Sequence, residues 1–467
     1  MDKRKTLTYG EFGTSKKTYE RSVRMIERYT DSEMASVWSE ESKFKYWLRV
    51  ELAVLKARQL LGEISCETYA LIEKHAGFSV ERINELEKLY DHDMIAFVET
   101  VRKSLRGTSA EAYRDLVHQR ITSYDIEDPA AILRLRDVFE NLIEALRHLE
   151  VALKAKAKEH QRTYMIARTH GQFAEPTTFG QLLLVYAEAV CRSIERFEFC
   201  YKHELSEGKL SGAVGTYAGL SPELEKKALA ILGLVPAKAE TQILQRDRHA
   251  TLLSMIAVAG GTVEQACRTF WEMMRSDVHE LEEPRKSTQR GSSAMPQKKN
   301  PIVTERLMGL ARMLRAFASA SLENIATPEG RDISQSSVER HILPDATTLL
   351  HYMVIKLTRL VERLVVFPEV MKVRLETESL GVWAAQRIRY ALVEKGLPDS
   401  AAYDYVQRAT FEAVQFKTNL SDVLRTFPFS NEDGRTGLSV LHENDLRACF
   451  NYHEYVGQGI EYLFRNL

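Results

Sequence analysis

The strongest chemical signal in the 467-residue chain is the segment 278–306, VHELEEPRKSTQRGSSAMPQKKNPIVTER. Its centre combines basic side chains, a glycine and two adjacent serines, the first of which is Ser292. A helical pattern follows at once, and a helix N-terminus offers unpaired backbone N–H groups at the positive end of a dipole. Lys298 and Asn300 add side-chain donors. The segment predicts a site for a carboxylate or phosphate with hydroxyl groups beside it, although its composition is equally compatible with a basic surface loop.

Composition excludes several other classes of function. Lys and Arg number 64 against 65 for Asp and Glu, so bulk charge gives no reason to expect a nucleic-acid or acidic-membrane partner. The five cysteines are scattered without a CxxC pair, and the 13 histidines form no HxxxH or HExxH pair, so no disulfide framework or metal site is predicted. The longest apolar run, near 252–261, is too short to span a bilayer. We predict a reduced, cytoplasmic protein without a membrane segment.

The elements that must position this loop are helical. Gly and Pro number only 23 and 12, which favours long uninterrupted elements. One long helix is predicted to begin near Ala130, because apolar residues follow it with the spacing 4-3-4-3-4 that is typical of a packed helix. The residues of this seam are Leu135, Phe139, Leu142, Leu146, Leu149 and Leu153.

Similar patterns predict three further long helices. These patterns cover about 248–280, 301–323 and 344–366. We therefore predict an all-α protein whose centre is a bundle of long helices. The predicted domains are an N-terminal helical domain at 1–120, the central bundle at 121–370 and a C-terminal helical domain at 371–467.

The loop that contains Ser292 resembles the signature loop of the fumarase/aspartase superfamily. The matching residues are Ser292-Ser293-x-Met295-Pro296-x-Lys298-x-Asn300-Pro301. Shorter strings, in the expected order, resemble the adenylosuccinate lyase branch of that superfamily. They are Arg28-Tyr29-Thr30, His92-Asp93, Thr122-Ser123-x-Asp125, Thr169-His170-Gly171, AEPTT at 174–178, SGAVGTYA at 211–218, TQILQRDRH at 241–249 and RDISQSSVERHILPDA at 331–346. The resemblance covers about residues 25–465.

The resemblance implies a β-elimination that cleaves a C–N bond and releases fumarate. The implied substrates are adenylosuccinate, which gives AMP, and the succinylated aminoimidazole carboxamide ribotide of purine biosynthesis. Removal of a proton next to a carboxylate places negative charge on that carboxylate in the transition state, where fixed donors stabilise it. The leaving nitrogen needs an acid with a pKa near about 7, which histidine supplies. Because the substrate's own carboxylate takes up the charge, the resemblance implies no metal or organic cofactor.

The resemblance also assigns roles to individual residues. Ser292 is the expected base and His170 the expected acid, with Glu305 orienting the histidine ring. Lys298 is expected to stabilise the developing negative charge, and His92 to lie near the substrate phosphate. The implied substrate contacts are Arg28, Tyr29, Thr122, Ser123, Gln242, Asn300, Arg331, Ser336 and Arg340. The resemblance further implies a homotetramer in which each active site is assembled from three subunits.

Departures from the family pattern gather at the substrate end of the site. They are Asp91, Arg120, Tyr124, Pro129, Gln297, Lys299 and the stretch 328–330. Asp91 stands where the family usually has Lys or Arg, and we expect Arg120 to supply the missing cation by pairing with Asp91. The alternative interpretation is a lyase of the same fold for a different aspartyl or succinyl adduct, such as one like argininosuccinate. A helical scaffold without catalysis is a third interpretation, which the intact residues Ser292 and His170 disfavour.

Overall fold

The computed structural model describes residues 26–285, 288, 294–429, 435–465 and 467, and its N-terminal part is built from short and medium helices. These helices are α1 (Ser32–Val37), α2 (Glu40–Leu60), α3 (Cys66–His75), α4 (Val80–Tyr90) and α5 (Asp93–Ser104). Polar caps explain where the first four begin, because Asp31, Ser39, Ser65 and Ser79 each accept a hydrogen bond from a backbone N–H in the first turn.

The central part is dominated by five long helices. In chain order its elements are α6 (Ser123–Glu159), β1 (Tyr164–Thr169), β2 (Gln172–Thr178), α7 (Phe179–His203), β3 (Glu207–Gly208), α8 (Pro222–Leu232), β4 (Val235–Pro236), α9 (Asp247–Met273), β5 (Leu281–Glu282), α10 (Ile302–Glu323), α11 (Ser334–Glu362) and β6 (Val365–Val366). Helix α6 packs along α7, α9 packs along α10, and α11 lies against α6, α9 and α10. All six residues of the predicted apolar seam on α6 are buried, which confirms that seam.

Two predicted helix starts are wrong in the same direction. Helix α6 begins at Ser123 rather than near Ala130, because the Asp125 carboxylate accepts a hydrogen bond from the Thr122 N–H at 2.9 Å and caps the helix upstream. Helix α11 likewise begins at Ser334, ten positions before the predicted start at 344. Prolines lie inside both helices, so a proline that suits a first turn does not by itself locate the start.

In the described residues, three small sheets that the all-α prediction does not include fasten the connections between helices. Strands β1 and β2 form an antiparallel hairpin that pairs Tyr164 with Thr178 and Thr169 with Gln172. Strands β3 and β4 are parallel, and β5 and β6 are antiparallel. Each sheet has only two strands. The helices form the layers and the core, so the all-α class is confirmed.

The C-terminal part is a set of shorter helices with an apolar core of its own. They are α12 (Pro368–Val373), α13 (Ala385–Glu394), α14 (Asp399–Phe416), α15 (Leu420–Thr426), α16 (Gly437–Val440), α17 (Glu443–Cys449) and α18 (Tyr452–Phe464). Buried side chains such as Leu375, Trp383 and Tyr405 pack together here, and Ile166 of strand β1 joins them. The hairpin thus connects the central bundle to the C-terminal helices, while the predicted division into three domains stays a prediction.

One helix has the length and composition of a membrane span. Within the described ranges this is α9, and half of its most apolar stretch is buried inside the protein. A core helix of a packed bundle has the same properties, so the helix is weak evidence for a membrane segment.

Candidate active site

A buried ion pair fastens two of the predicted substrate-binding segments to the glycine-rich loop 211–218. The Lys209 side chain is 1% exposed, and its Nζ donates to Asp125 Oδ1 at 2.7 Å, to the Gly212 carbonyl at 3.0 Å and to the Gln242 carbonyl at 2.9 Å. Asp125 in turn accepts hydrogen bonds from the backbone N–H groups of Gly212 at 3.1 Å and Thr122 at 2.9 Å. The pair therefore brings together the start of α6, the loop 211–218 and the segment at Gln242.

The glycine-rich loop 211–218 approaches its neighbour too closely for any side chain. Gly215 has φ +75°, and a Cβ built there would lie 1.9 Å from the Glu240 carbonyl oxygen. Only glycine combines this backbone conformation with such an approach. Gly215 thus allows the loop to pack closely against the segment that precedes Gln242.

The predicted residues Gln242 and Arg331 are in direct contact. Arg331 Nη1 donates to Gln242 Oε1 at 2.6 Å, and Gln242 Nε2 donates to the Ala213 carbonyl at 3.1 Å. The Arg331 guanidinium also lies over the ring of Tyr124, 4.1 Å from its centroid. The stretch 328–330 is held close by, because the Thr241 hydroxyl donates to the Gly330 carbonyl at 2.7 Å. The structure therefore places a cation beside the amide of Gln242 at the start of α6.

A second group of charges lies at Asp93, next to the predicted residue His92, and includes the predicted residue Arg340. Arg340 Nη2 and Lys43 Nζ both donate to Asp93 Oδ2, at 2.9 and 2.8 Å. Burial alone would raise the pKa of Asp93, but Lys43 and Arg340 outweigh it and lower the pKa to about 2. The neighbouring His92 is the N-cap of α5, where its Nδ1 accepts from the Ile95 N–H at 3.5 Å. Arg340, a predicted phosphate contact, is thus already paired with a carboxylate in this chain.

Glu127 carries an unfavourable charge beside this group, and its replacement should alter the pH dependence of stability. Burial raises the pKa of Glu127 to about 7 and the Asp93 carboxylate adds to the shift, while Lys43 and Arg340 oppose it. A carboxyl whose pKa is raised by folding destabilises the fold as pH rises from the unfolded value towards the folded one. Glu127→Gln should therefore raise the free energy of unfolding by about 1–3 kcal/mol near pH 8 and much less near pH 5.

Chemical denaturation of both proteins at the two pH values measures this difference. Glu461→Gln, at an exposed position of α18, is the matched control for loss of one carboxylate. An equal change at both pH values would contradict the assignment.

The predicted acid His170 lies at the tip of the β1–β2 hairpin. His170 and Gly171 have φ values of +53° and +75° and form a two-residue turn, and His170 is exposed. The hairpin is tied down next to the turn, because Arg168 pairs at 3.3 Å with the fully buried carboxylate of Glu280. Glu280 also pairs with Arg374 of the C-terminal part at 3.2 Å. The histidine is thus exposed on a turn that is anchored from both sides.

Glu305 does not meet His170 within one chain. It is exposed on α10, where its Oε1 accepts from the Trp271 indole N–H at 3.4 Å. No hydrogen bond or ion pair joins Glu305 to His170 in the part of this chain that the structure describes. Glu305 therefore does not orient His170 within the described part of one chain.

The structure corrects the prediction of an anion site at the start of α10. Ser292 lies outside the described residues, and Lys298 is exposed on the loop that follows. The carboxylate of Glu283 accepts the N–H groups of Val303 and Thr304 at 2.8–3.1 Å. Because these donors are already used, the helix end itself is not available to a ligand, and that part of the prediction is wrong. Any backbone donors for a ligand must come from the loop.

The remaining predicted contacts lie at other edges of this region. Arg28 is exposed and Tyr29 half-buried in a short turn, where the Tyr29 ring packs edge-on against Tyr352 of α11 at 5.4 Å. The Ser336 hydroxyl donates to the Ile333 carbonyl at 3.3 Å within α11. Thr122 and Ser123 form the start of α6, and Asn300 directly precedes the segment that begins α10.

The expected pair between Asp91 and Arg120 is not made in the described chain. Asp91 ends α4 in the left-handed conformation, and Arg120, which also has a positive φ, is within electrostatic range of Arg58 instead. The histidine between these segments does have a partner, since His118 Nδ1 lies 2.6 Å from Glu51 Oε1. The hypothesis that Arg120 replaces the lost cation by pairing with Asp91 is therefore not supported.

One group of side chains has the composition of a metal site but an evident structural role. Ligand atoms of Asp31, Glu33 and His351 lie within 4.8 Å of one another. Asp31 Oδ2 is 2.6 Å from His351 Nδ1, and its Oδ1 accepts from the N–H groups of Glu33 and Met34. Burial would raise the pKa of Asp31, but the hydrogen bonds from His351 and Met34 lower it overall. The carboxylate thus caps α1 and attaches it to α11.

Sequence reasoning missed the buried charges that hold these elements in place. Arg246 donates to both carboxylate oxygens of Asp128, at 3.1 and 3.0 Å, and to Glu339 at 2.8 Å. His249 Nδ1 also lies 3.2 Å from Glu339. Burial would lower the pKa of Arg246, but Asp128 and Glu339 raise it further above its usual range. These pairs join the starts of α6, α9 and α11.

Comparison with known proteins agrees with this architecture. Residues 24–315 match the family described as Lyase. A fumarate lyase from Mesorhizobium sp. BNC1 has the same fold, with a TM-score of 0.83 at 24% identity over 93% of this chain and 98% of that one. The 3-carboxy-cis,cis-muconate lactonizing enzyme from Pseudomonas putida gives a TM-score of 0.82 at 23% identity, over 94% and 96% of the two chains. The fold and motifs define a helical lyase of the fumarase/aspartase superfamily.

Relatives of higher identity show which family within this superfamily the chain belongs to. The adenylosuccinate lyase of Thermotoga maritima is 43% identical over 82% of this chain and 88% of its own length. The adenylosuccinate lyase of Bacillus subtilis is 38% identical over 95% of this chain and 99% of its own. The chain belongs to the adenylosuccinate lyase family.

Proposed function

We propose that the protein cleaves adenylosuccinate to AMP and fumarate, and cleaves the succinylated aminoimidazole carboxamide ribotide in the same way. The observation that carries the proposal is that the Lys209–Asp125 pair holds together two segments assigned to the substrate, the start of α6 and Gln242, and the family motif at 211–218. Names of relatives at up to 43% identity support the substrate class. As a step of purine biosynthesis, the reaction would take place in the cytoplasm.

The proposed reaction uses side chains that these segments and the signature loop carry. Ser292 removes the proton from the carbon next to the succinyl carboxylate, and the electron pair left behind is delocalised onto that carboxylate. Lys298 and Asn300 stabilise this charge. The electron pair then forms the fumarate double bond as the C–N bond breaks, and His170 donates a proton to the departing nitrogen.

The assembly is part of the proposal. His170 is exposed at a hairpin tip and Glu305 is exposed on α10, without contact between them in the described chain. We propose a homotetramer in which three subunits contribute to each site, so that the two residues meet across a subunit boundary. The central bundle at 121–370 would form its core.

A second candidate function is supported by one contact. Arg340, expected to bind the substrate phosphate, is paired with Asp93, which Lys43 also contacts. An arginine whose charge is already neutralised by a carboxylate is not needed for a phosphate. It would suit a lyase of the same fold whose substrate lacks a phosphate, such as an argininosuccinate-like compound.

A fumarate-release assay on the purified protein distinguishes the two functions. We expect turnover of adenylosuccinate but not of argininosuccinate or aspartate, because only the first carries a phosphate for Arg331 and Arg340. Ser292→Ala should lower the rate about 10²–10⁴-fold, since it removes the proposed base. Release of fumarate from argininosuccinate alone would contradict the proposal and favour the second candidate.

A further inference from the structure

Tyr124 occupies a position where the family pattern usually has serine, and it lies inside the group of substrate-binding segments. It belongs to the first turn of α6, directly after Thr122 and Ser123, and its side chain is buried, with 3% exposure. Because this aromatic ring is buried, the substitution affects the residues that pack against it. Its contacts show which neighbour it affects.

The Tyr124 ring holds the guanidinium of Arg331 from one face. The distance from the Arg331 Cζ to the ring centroid is 4.1 Å, well inside the range of a cation–π contact, whereas the Arg246 Cζ is 5.7 Å away. The ring is held by its burial, and its hydroxyl also accepts a hydrogen bond from Gln335 Nε2 at 3.2 Å. Gln242 holds the edge of the same guanidinium through Arg331 Nη1 at 2.6 Å.

Part of the Arg331 guanidinium remains without a protein partner. Its Nε is buried and makes no hydrogen bond to any residue that the structure describes. An unpaired buried donor is costly. Arg331 as a whole is half-buried, so its planar fork can offer other N–H groups to an anionic ligand. The planar fork of arginine binds phosphate oxygens in a fixed geometry, so its orientation before binding affects affinity.

We propose that Tyr124 is a positioning residue for the substrate phosphate, acting by holding the Arg331 guanidinium in its binding orientation. This inference rests on the proposed function, because it takes the phosphate of the nucleotide as the ligand of Arg331. A serine at this position could not provide the aromatic face. The departure from the family pattern thus changes how the phosphate site is organised rather than removing it.

The test compares the binding of AMP and of adenosine, which lacks the phosphate, by calorimetry. Tyr124→Leu keeps an apolar side chain but removes the aromatic face, and should weaken AMP binding roughly 2- to 30-fold while leaving adenosine binding unchanged. Tyr124→Phe keeps the face and should bind AMP like the unmodified protein. In the Arg331→Met background, Tyr124→Leu should produce no further loss, because Tyr124 acts through Arg331.

Three other results would each overturn the inference. Unchanged AMP binding in Tyr124→Leu, equal losses for AMP and adenosine, or a full additional loss in the Arg331→Met background would each exclude positioning through Arg331. Circular dichroism checks that the variants are folded, and Tyr124→Met, which also lacks an aromatic face, replaces the leucine variant if that one does not fold. Absence of AMP binding and of adenylosuccinate turnover in the unmodified protein would instead overturn the proposed function together with this inference.

Discussion

Lys209→Met is expected to lower the rate of fumarate release by about 10²-fold or more and to reduce stability by roughly 3–5 kcal/mol. The methionine leaves the Asp125 carboxylate buried without its cation, and a buried unpaired charge is strongly unfavourable. It also removes the donor that Lys209 gives to the carbonyl groups of Gly212 and Gln242. Steady-state kinetics with adenylosuccinate and chemical denaturation measure the two effects.

A double variant separates the positioning role of Lys209 from its contribution to stability. Lys209→Met combined with Asp125→Asn removes both charges, so most of the lost stability should return. Activity should stay low, because the carbonyls of Gly212 and Gln242 still lack their donor. Lys226→Met, at an exposed position of α8, is the matched control and should change neither quantity. Full activity in the double variant would show that Lys209 balances charge without positioning the loops.

The long helices could be predicted because their apolar residues repeat with the helical period. The seam from Leu135 to Leu153 on α6 is buried throughout, as the 4-3-4 spacing predicts. The start of α6 was harder to predict, because the capping contact between Thr122 and Asp125 is a hydrogen bond rather than a periodic pattern. The β1–β2 hairpin is not predicted by the sequence, because its turn places a histidine, His170, at positive φ beside Gly171, which is an uncommon turn signal.

The candidate site could be predicted where residues belong to contiguous motifs, and not where pairing is distant along the chain. Gln242 and Arg331 were both predicted and do meet. Lys209, in contrast, pairs with a carboxylate 84 positions away, and no local pattern distinguishes it from a surface lysine. Glu283 likewise lies 20–21 positions before the N–H groups at the start of α10 from which it accepts hydrogen bonds. The local sequence of the helix start therefore suggests an anion site that a distant carboxylate already fills.

The second large effect is expected from mixing two inactive variants. His170→Gln and Ser292→Ala should each abolish most fumarate release, because one removes the proposed acid and the other the proposed base. If a site takes His170 from one subunit and Ser292 from another, a mixed tetramer contains sites in which both residues are intact. When equal amounts mix at random, about half of the sites receive an intact His170 and, independently, about half receive an intact Ser292. About a quarter of the sites therefore contain both intact residues. Denaturing and refolding the two variants together should therefore restore about a quarter of the original activity.

The positions of His170 and Glu305 in this chain are the reason to expect that the mixture regains activity. His170 is exposed on an anchored hairpin turn, and Glu305, which is expected to orient it, contacts Trp271 instead within the described chain. Each variant refolded alone, and the two mixed without denaturation, are the controls and should stay inactive. If light scattering shows tetramers in the refolded mixture and activity does not return, His170 and Ser292 of one site come from the same subunit. The hairpin turn that carries His170, anchored by the ion pair between Arg168 and Glu280, would then serve the signature loop of its own chain.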